Sequence, residues 1–169
     1  LVDYDVRTHN IDIQQVIDNI PNSKAIIIAH TMGNPVDLKE ILWTADRFGV
    51  KVIEDCCEAI GTTEVGAMGN LGTFSFYPSH QITAGGMGGM VTTNDKHFMI
   101  QCKSMRDWGK VWYWDEKLGD NKTFYSEDIG LDYSYYRHYC YETIGYNFKL
   151  AEMNAAFGRE QLKKVNNET

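Results

Sequence analysis

An α/β fold, with a mostly parallel sheet and helices on both of its faces, is what the sequence predicts. Residues 24–29 and 50–53 form short apolar runs, rich in β-branched residues and too brief for helices. A stretch with helical spacing stands between them, and the connections are short. That alternation is the signature of βαβ units, which build parallel sheets.

The elements follow in order. Residues 1–6 read as the end of a strand. Ile11 to Ile20 has apolar residues at 13, 16, 17 and 20, a helical spacing that Pro21-Asn22 ends. Lys24 to Ala29 is expected to be a strand buried on both faces. Asp37 to Phe48 is a helix, with Leu38, Ile41, Leu42, Ala45 and Phe48 on one stripe and Gly49 at the stop. Val50 to Ile53 is a strand. The glycine-rich middle, 61–89, surrounds a strand at Thr73 to Tyr77; Gly85-Gly86-Met87-Gly88-Gly89 is neither helix interior nor stable strand. Met90 to Thr93 is a strand, Asp95 to Met105 a helix, and Leu150 to Val165 a final helix. Between the last two lies an aromatic excursion at about 108–141, read as a hairpin or a subunit-contact loop, since long irregular loops in compact domains are commonly functional.

Composition narrows the function. The chain has 169 residues, 43% of them hydrophobic, and a net charge of −7 from 16 Lys and Arg against 23 Asp and Glu. That apolar share supports a core, so the chain is not disordered. The acidic balance argues against nucleic-acid binding. No apolar run approaches the ~18 residues of a membrane helix. The opening Leu1-Val2-Asp3-Tyr4-Asp5 has no secretory pattern, and a cytoplasmic setting is expected. Cys56, Cys57, Cys102 and Cys140 form neither a disulfide framework nor a zinc spacing, and are expected to be inert thiols. From its start without methionine, inside a pattern, the chain is expected to be a piece of a longer protein.

Ligands of open α/β sheets bind beyond the carboxyl ends of the strands. Three candidates fall there: His30; Glu54-Asp55; and Ser75 to His80. Asp55 reads equally as a cap of the next segment. Ser75 is either a packed hydroxyl or an anion donor. His80, between Pro78 and the glycines, is a surface residue or a site residue. The glycine run is no P-loop, because no Gly-Lys-Ser/Thr follows, and no dinucleotide fingerprint, because it leads into a strand. These residues place an acid, a histidine and a serine near one site without naming a reaction.

Four motifs give a resemblance. Val52-Ile53-Glu54-Asp55-Cys56-Cys57-Glu58-Ala59-Ile60-Gly61, Phe74-Ser75-Phe76-Tyr77-Pro78-Ser79-His80, Gly145-Tyr146-Asn147-Phe148-Lys149-Leu150 leading into Glu152-Met153-Asn154-Ala155-Ala156, and Ala29-His30-Thr31-Met32-Gly33-Asn34-Pro35 stand in the order found in the DegT/DnrJ/EryC1/StrS sugar aminotransferases. The chain resembles that family over nearly its whole length. The resemblance implies the large cofactor-binding domain of the aspartate-aminotransferase-like fold. Residues 1–169 would be its central and C-terminal portion, with the upstream part and a C-terminal small domain absent, and inactive as an isolated piece. It implies pyridoxal or pyridoxamine 5′-phosphate as cofactor and a homodimer.

His80 stands where the aminotransferases carry the lysine that binds the cofactor aldehyde. This substitution is similar to that of the 3-dehydratases of 4-keto-6-deoxy nucleotide sugars, which serve deoxysugar and O-antigen lipopolysaccharide synthesis. Arg106-Asp107-Trp108-Gly109 resembles theirs too. By that resemblance His80 is the catalytic base, Asp55 pairs with the pyridine nitrogen, Ser75 and Asn147 hold the phosphate (Asn147 from the neighbouring subunit), and Glu58 lies against the ring. No metal site is implied. An iron–sulfur cluster is not expected: Cys57 fits its first ligand, but Trp112 and Trp114 stand where the next pair would be. Regeneration by L-glutamate is expected instead. Departures from the family are Asn70 after Gly69 in place of aspartate, a longer glycine run without its glutamate, and a shortened loop near Glu64-Val65. They leave open a homologue that binds sugar nucleotide without turnover, or a non-catalytic part of a larger assembly.

Overall fold

The computed structural model describes residues 1–111 and 139–165, together with the backbone of two short strands at 124–125 and 135–136. Residues Leu1–Asn94 and Leu150–Thr169 make one compact unit and Asp95–Lys149 a second.

The first unit holds a four-stranded sheet in sequence order. β1 (Ala25–Ala29), β2 (Lys51–Asp55) and β3 (Leu71–Ser75) run parallel, and β4 (Gly89–Thr92) closes the edge antiparallel to β3. α1 (Ile13–Asn19) starts at Asp12, whose carboxylate accepts the Gln15 N–H at 3.1 Å. α2 (Lys39–Phe48) ends on Gly49 in the left-handed conformation, as the sequence predicts. Val16 and Ile20 from the α1 segment and Leu38, Ile41 and Ala45 from the α2 segment pack with Ile28, Val50 and Val52 into the main core. A smaller core joins Phe76, Ile82 and Ala84 to Leu162 and Val165 of α4 (Glu152–Val165).

Three expectations change. β1 is covered on one face only: Ile28 is fully buried, but Ile27 is 68% exposed and Ala25 and Ala29 are open. Its apolar run alternates in burial because α1 and α2 cover only the face carrying Ile26 and Ile28. Residues 1–6 form no strand; Tyr4 makes a single bridge to Ile11. β2 ends two residues later than predicted, at Asp55, and β3 two residues earlier, at Ser75, so Glu54, Asp55 and Ser75 all lie inside the ladder, at the ends of their strands.

In the second unit, α3 (Lys96–Arg106) starts at Asp95, whose carboxylate accepts the N–H groups of His97 and Phe98 at 2.7 and 3.3 Å. The chain then reverses, and Tyr146 to Phe148 returns beside 105–108 through backbone hydrogen bonds. β5 (Phe124–Tyr125) and β6 (Tyr135–Tyr136) pair antiparallel, in keeping with a hairpin. Residues 112–123, 126–134 and 137–138 of the aromatic excursion, Trp112 and Trp114 among them, lie outside the described residues.

Candidate functional site

The register of the ladder sorts the candidates. Ala29 of β1 stands beside Asp55 of β2, and Asp55 beside Thr73 of β3. Side chains alternate between faces along a strand, so Ser75, two residues on, shares that face. Asp55, Thr73 and Ser75 are each half-buried there. Ile27 and Ile53 continue the same face, the one that α1 and α2 leave uncovered. Asp55 and Ser75 are thus offset by two residues, ~6.6 Å along the strand direction at the usual rise.

Each of these side chains is held locally. Asp55 Oδ1 accepts the N–H of Cys57 at 3.1 Å. Ser75 Oγ accepts the N–H of Tyr77 at 3.2 Å, which leaves the hydroxyl proton to donate to an anion. His80 is half-buried at the end of a turn closed by its own N–H to the Tyr77 carbonyl at 3.0 Å. Glu58, exposed, accepts the N–H of Met32 at 2.8 Å through Oε2, and its backbone carbonyl accepts the side-chain amide of Gln81 at 2.5 Å.

Glu54 and His30, the other strand-end candidates, point the opposite way and form a core network. Both are buried, with His30 Nε2 3.0 Å from Glu54 Oε2. His30 Nδ1 accepts the Val36 N–H at 3.1 Å, so the ring proton sits on Nε2 and is donated to Glu54. Glu54 also accepts the backbone N–H groups of Gly66, Met68 and Gly69 at 2.9, 2.9 and 2.6 Å. Burial pushes the Glu54 carboxyl up, but the His30 bond and these three amides together hold it below the usual range. His30, Glu54 and Cys56 present donor atoms within 4.8 Å of one another. The carboxylate and the ring are already satisfied, and the Cys56 thiol is pushed up to about 12 by burial and by the Glu54 charge. These residues therefore serve the fold. The adjacent Cys57 thiol rises to about 11 through burial and its contact with Asp55.

Asn147 lies in the second unit, exposed and paired by a bridge with Asp107. Trp108 N–H to the Tyr146 carbonyl and Phe148 N–H to the Arg106 carbonyl, both 3.0 Å, fix its backbone on either side. Asp107 is buried, with Lys110 and Lys149 ammonium groups 3.6 and 3.9 Å from its carboxylate. The sequence did not single out Gln81 or Met32, since neither residue type signals a site.

The glycine loop behind His80 takes positive φ at Gly85, Gly86 and Gly88 (75°, 105° and 141°), conformations that side chains disfavour. Helix α4 holds it: Asn154 donates to the Ala84 carbonyl at 2.8 Å, and Gly158 faces the Ala84 methyl.

A mostly parallel sheet with its polar carboxyl edge open, flanked by helices, is the architecture of the pyridoxal-phosphate-dependent aminotransferase-like fold. The chain belongs to the DegT/DnrJ/EryC1/StrS aminotransferase family, whose sequence profile matches residues 1–169. The lipopolysaccharide biosynthesis protein RfbH of Salmonella typhimurium is 42% identical over 173 residues, covering 97% of this chain and 39% of that protein. The dTDP-4-dehydro-2,6-dideoxy-D-glucose 3-dehydratase of Saccharopolyspora spinosa is 34% identical over 172 residues, covering 97% and 37%. The solved structure of Escherichia coli GDP-4-keto-6-deoxy-D-mannose-3-dehydratase with bound hydrated pyridoxal phosphate superposes with a TM-score of 0.73 at 29% identity, covering 98% of this chain and 42% of that one. The chain thus spans about two fifths of the length of these relatives.

Proposed function

We propose that the protein to which this chain belongs removes the 3-hydroxyl of a nucleotide-linked 4-keto-6-deoxy sugar, with pyridoxamine 5′-phosphate as cofactor and L-glutamate as amino donor. Residues 1–169 are, on this reading, the central and C-terminal portion of the large cofactor-binding domain of a homodimer. The observation that carries the proposal is His80, a histidine within the motif where aminotransferases of the family hold their lysine, in the turn that follows β3.

The residues fit the cofactor. Asp55 and Ser75 share one open sheet face, an acid for a pyridinium nitrogen and a hydroxyl with a free proton for a phosphate. A small residue, Ala29, stands beside the acid, so no bulky side chain of β1 fills the space next to it. Bound there, the cofactor supplies an amine for the sugar ketone and a ring that accepts electrons. Asp55 keeps the ring nitrogen protonated. Ser75, and Asn147 of a second copy, orient the phosphate. His80 Nδ1 or Nε2 takes a proton from the carbon bearing the amine and returns one to the departing hydroxyl, work suited to an imidazole near neutral pH. Glu58 borders the ring while bonding Met32. Balanced overall, the sugar loses one oxygen, glutamate becomes 2-oxoglutarate, and ammonia is released.

An iron–sulfur electron route is disfavoured on this reading. A cluster needs several thiolates, and tryptophans, Trp112 and Trp114, stand where the family's next pair of cysteines would be. The relationship to aminotransferases favours one second reading, amino transfer to the sugar ketone, and His80 argues against it because an imidazole cannot take the lysine's place on the cofactor aldehyde.

The test is substitution of His80 in the full-length protein. His80→Asn should lower turnover at least ~100-fold, the scale of a lost general base, with cofactor affinity unchanged. His80→Lys should bind pyridoxal phosphate covalently and show a new near-visible absorption band. Full activity in His80→Asn would overturn the assignment.

A further inference from the structure

We infer that Gln81 is a positioning residue for His80, acting through a polar junction that ties together the three segments following β1, β2 and β3. The inference rests on the reading of His80 as the base. Glu58 is the centre of the junction. Its carboxylate holds the N–H of Met32, 26 residues earlier, and its backbone carbonyl receives the Gln81 amide, 23 residues later. Met32 has a φ of 55°, a left-handed conformation unusual for its side chain, and the Glu58 carboxylate secures its N–H there.

Packing does not locate the His80 turn. Tyr77, Pro78 and Ser79 are exposed, and the buried anchors stand outside the turn, at Phe76 before it and Ile82 after it. Besides the turn's own His80 N–H to the Tyr77 carbonyl, two hydrogen bonds among the described residues tie it to its surroundings. Ser75 Oγ receives the Tyr77 N–H on the entry side, and the Gln81 amide reaches Glu58 on the exit side. Glu58 is in turn three residues from Asp55, in a turn closed by the Ala59 N–H to the Cys56 carbonyl at 3.0 Å. The Gln81 bond therefore sets the spacing between the segment that carries the base and the segment that carries the ring-pairing acid. A base misplaced by about 1 Å can cost on the order of 100-fold in rate, whereas cofactor affinity depends on Asp55 and the phosphate ligands.

The test compares Gln81→Leu, which keeps the bulk and removes the donor, with Gln81→Arg, which keeps a donor of sufficient reach, in the full-length protein. In the cofactor-free protein, Gln81→Leu should raise amide hydrogen exchange in peptides covering 56–60 and 78–84, and Gln81→Arg should not. In the loaded protein, Gln81→Leu should slow His80-dependent deuterium exchange at the cofactor's amine-bearing carbon about 10-fold, with cofactor Kd within about 2-fold; Gln81→Arg should restore most of that rate. Wild-type amide exchange and wild-type carbon exchange in Gln81→Leu would overturn the inference, as would equal loss of Kd and rate. If His80→Asn itself keeps the carbon exchange, the reading of His80 fails, while the amide-exchange result still decides whether the junction exists.

Discussion

Glu54 and Asp55 are neighbouring carboxylates with opposite surroundings. Alternation along β2 sends Glu54 into the core against His30 and three loop amides, and sends Asp55 to the open face. Glu54→Gln places an amide donor among donors that need an acceptor, and should destabilise the protein by about 2–4 kcal/mol in thermal or denaturant unfolding. Because the folded carboxyl lies below its ordinary value, its contribution to stability is complete above the unfolded value near ~4.3 and is lost as pH falls through the folded one. Below about pH 4.3 the wild type should therefore lose stability more steeply than Glu54→Gln; parallel curves would contradict this charge assignment. Cys57, with its thiol near 11, should react with iodoacetamide at pH 7.5 about 100-fold more slowly than an unperturbed thiol, measured by mass spectrometry of the labelled peptide. The sequence exposed both acids as strand-end candidates, but not which faced the core, because that depends on the exact strand register.

Elements show the same division between what a pattern carries and what contact decides. The helices over 39–48, 96–106 and 152–165 follow from apolar spacing, caps and the stop glycine, and lie within two residues of their predicted bounds. The antiparallel run of β4 was not legible, since apolar residues after a glycine loop carry no direction. Nor was the joint between two motifs of the second unit. Gly109 and Gly145 cross there so closely that a Cβ on Gly109 would fall on the Thr143 carbonyl, and one on Gly145 would lie 2.6 Å from the Trp108 carbonyl carbon. Asp107-Trp108-Gly109 and Gly145-Tyr146-Asn147 are therefore two halves of one backbone clasp that presents Asn147. Gly109→Ala and Gly145→Ala should each destabilise this clasp by about 3 kcal/mol or more, read by hydrogen exchange of the 105–109 and 143–148 amides. Protection equal to the wild type would contradict the crossing.

Across the whole molecule, the fold class was legible from strand–helix alternation, and the family from four ordered motifs. The one-sided covering of β1 was not, because an apolar run such as Ala25–Ala29 reads the same whether one face or both are covered. That open face carries Asp55 and Ser75, so the exposed Ile27 and the proposed site are two consequences of one arrangement. The chain's share of its relatives' length makes the full-length protein the object to assay. The most direct measurement of the proposed reaction incubates that protein, loaded with pyridoxamine 5′-phosphate, with glutamate and a nucleotide-linked 4-keto-6-deoxy sugar, and analyses products by mass spectrometry. The account predicts a 4-keto sugar lacking one oxygen at carbon 3, formed in equal amount with 2-oxoglutarate and ammonia, and absent in His80→Asn. A 4-amino sugar that retains its 3-hydroxyl, formed with 2-oxoglutarate and no free ammonia, would contradict it.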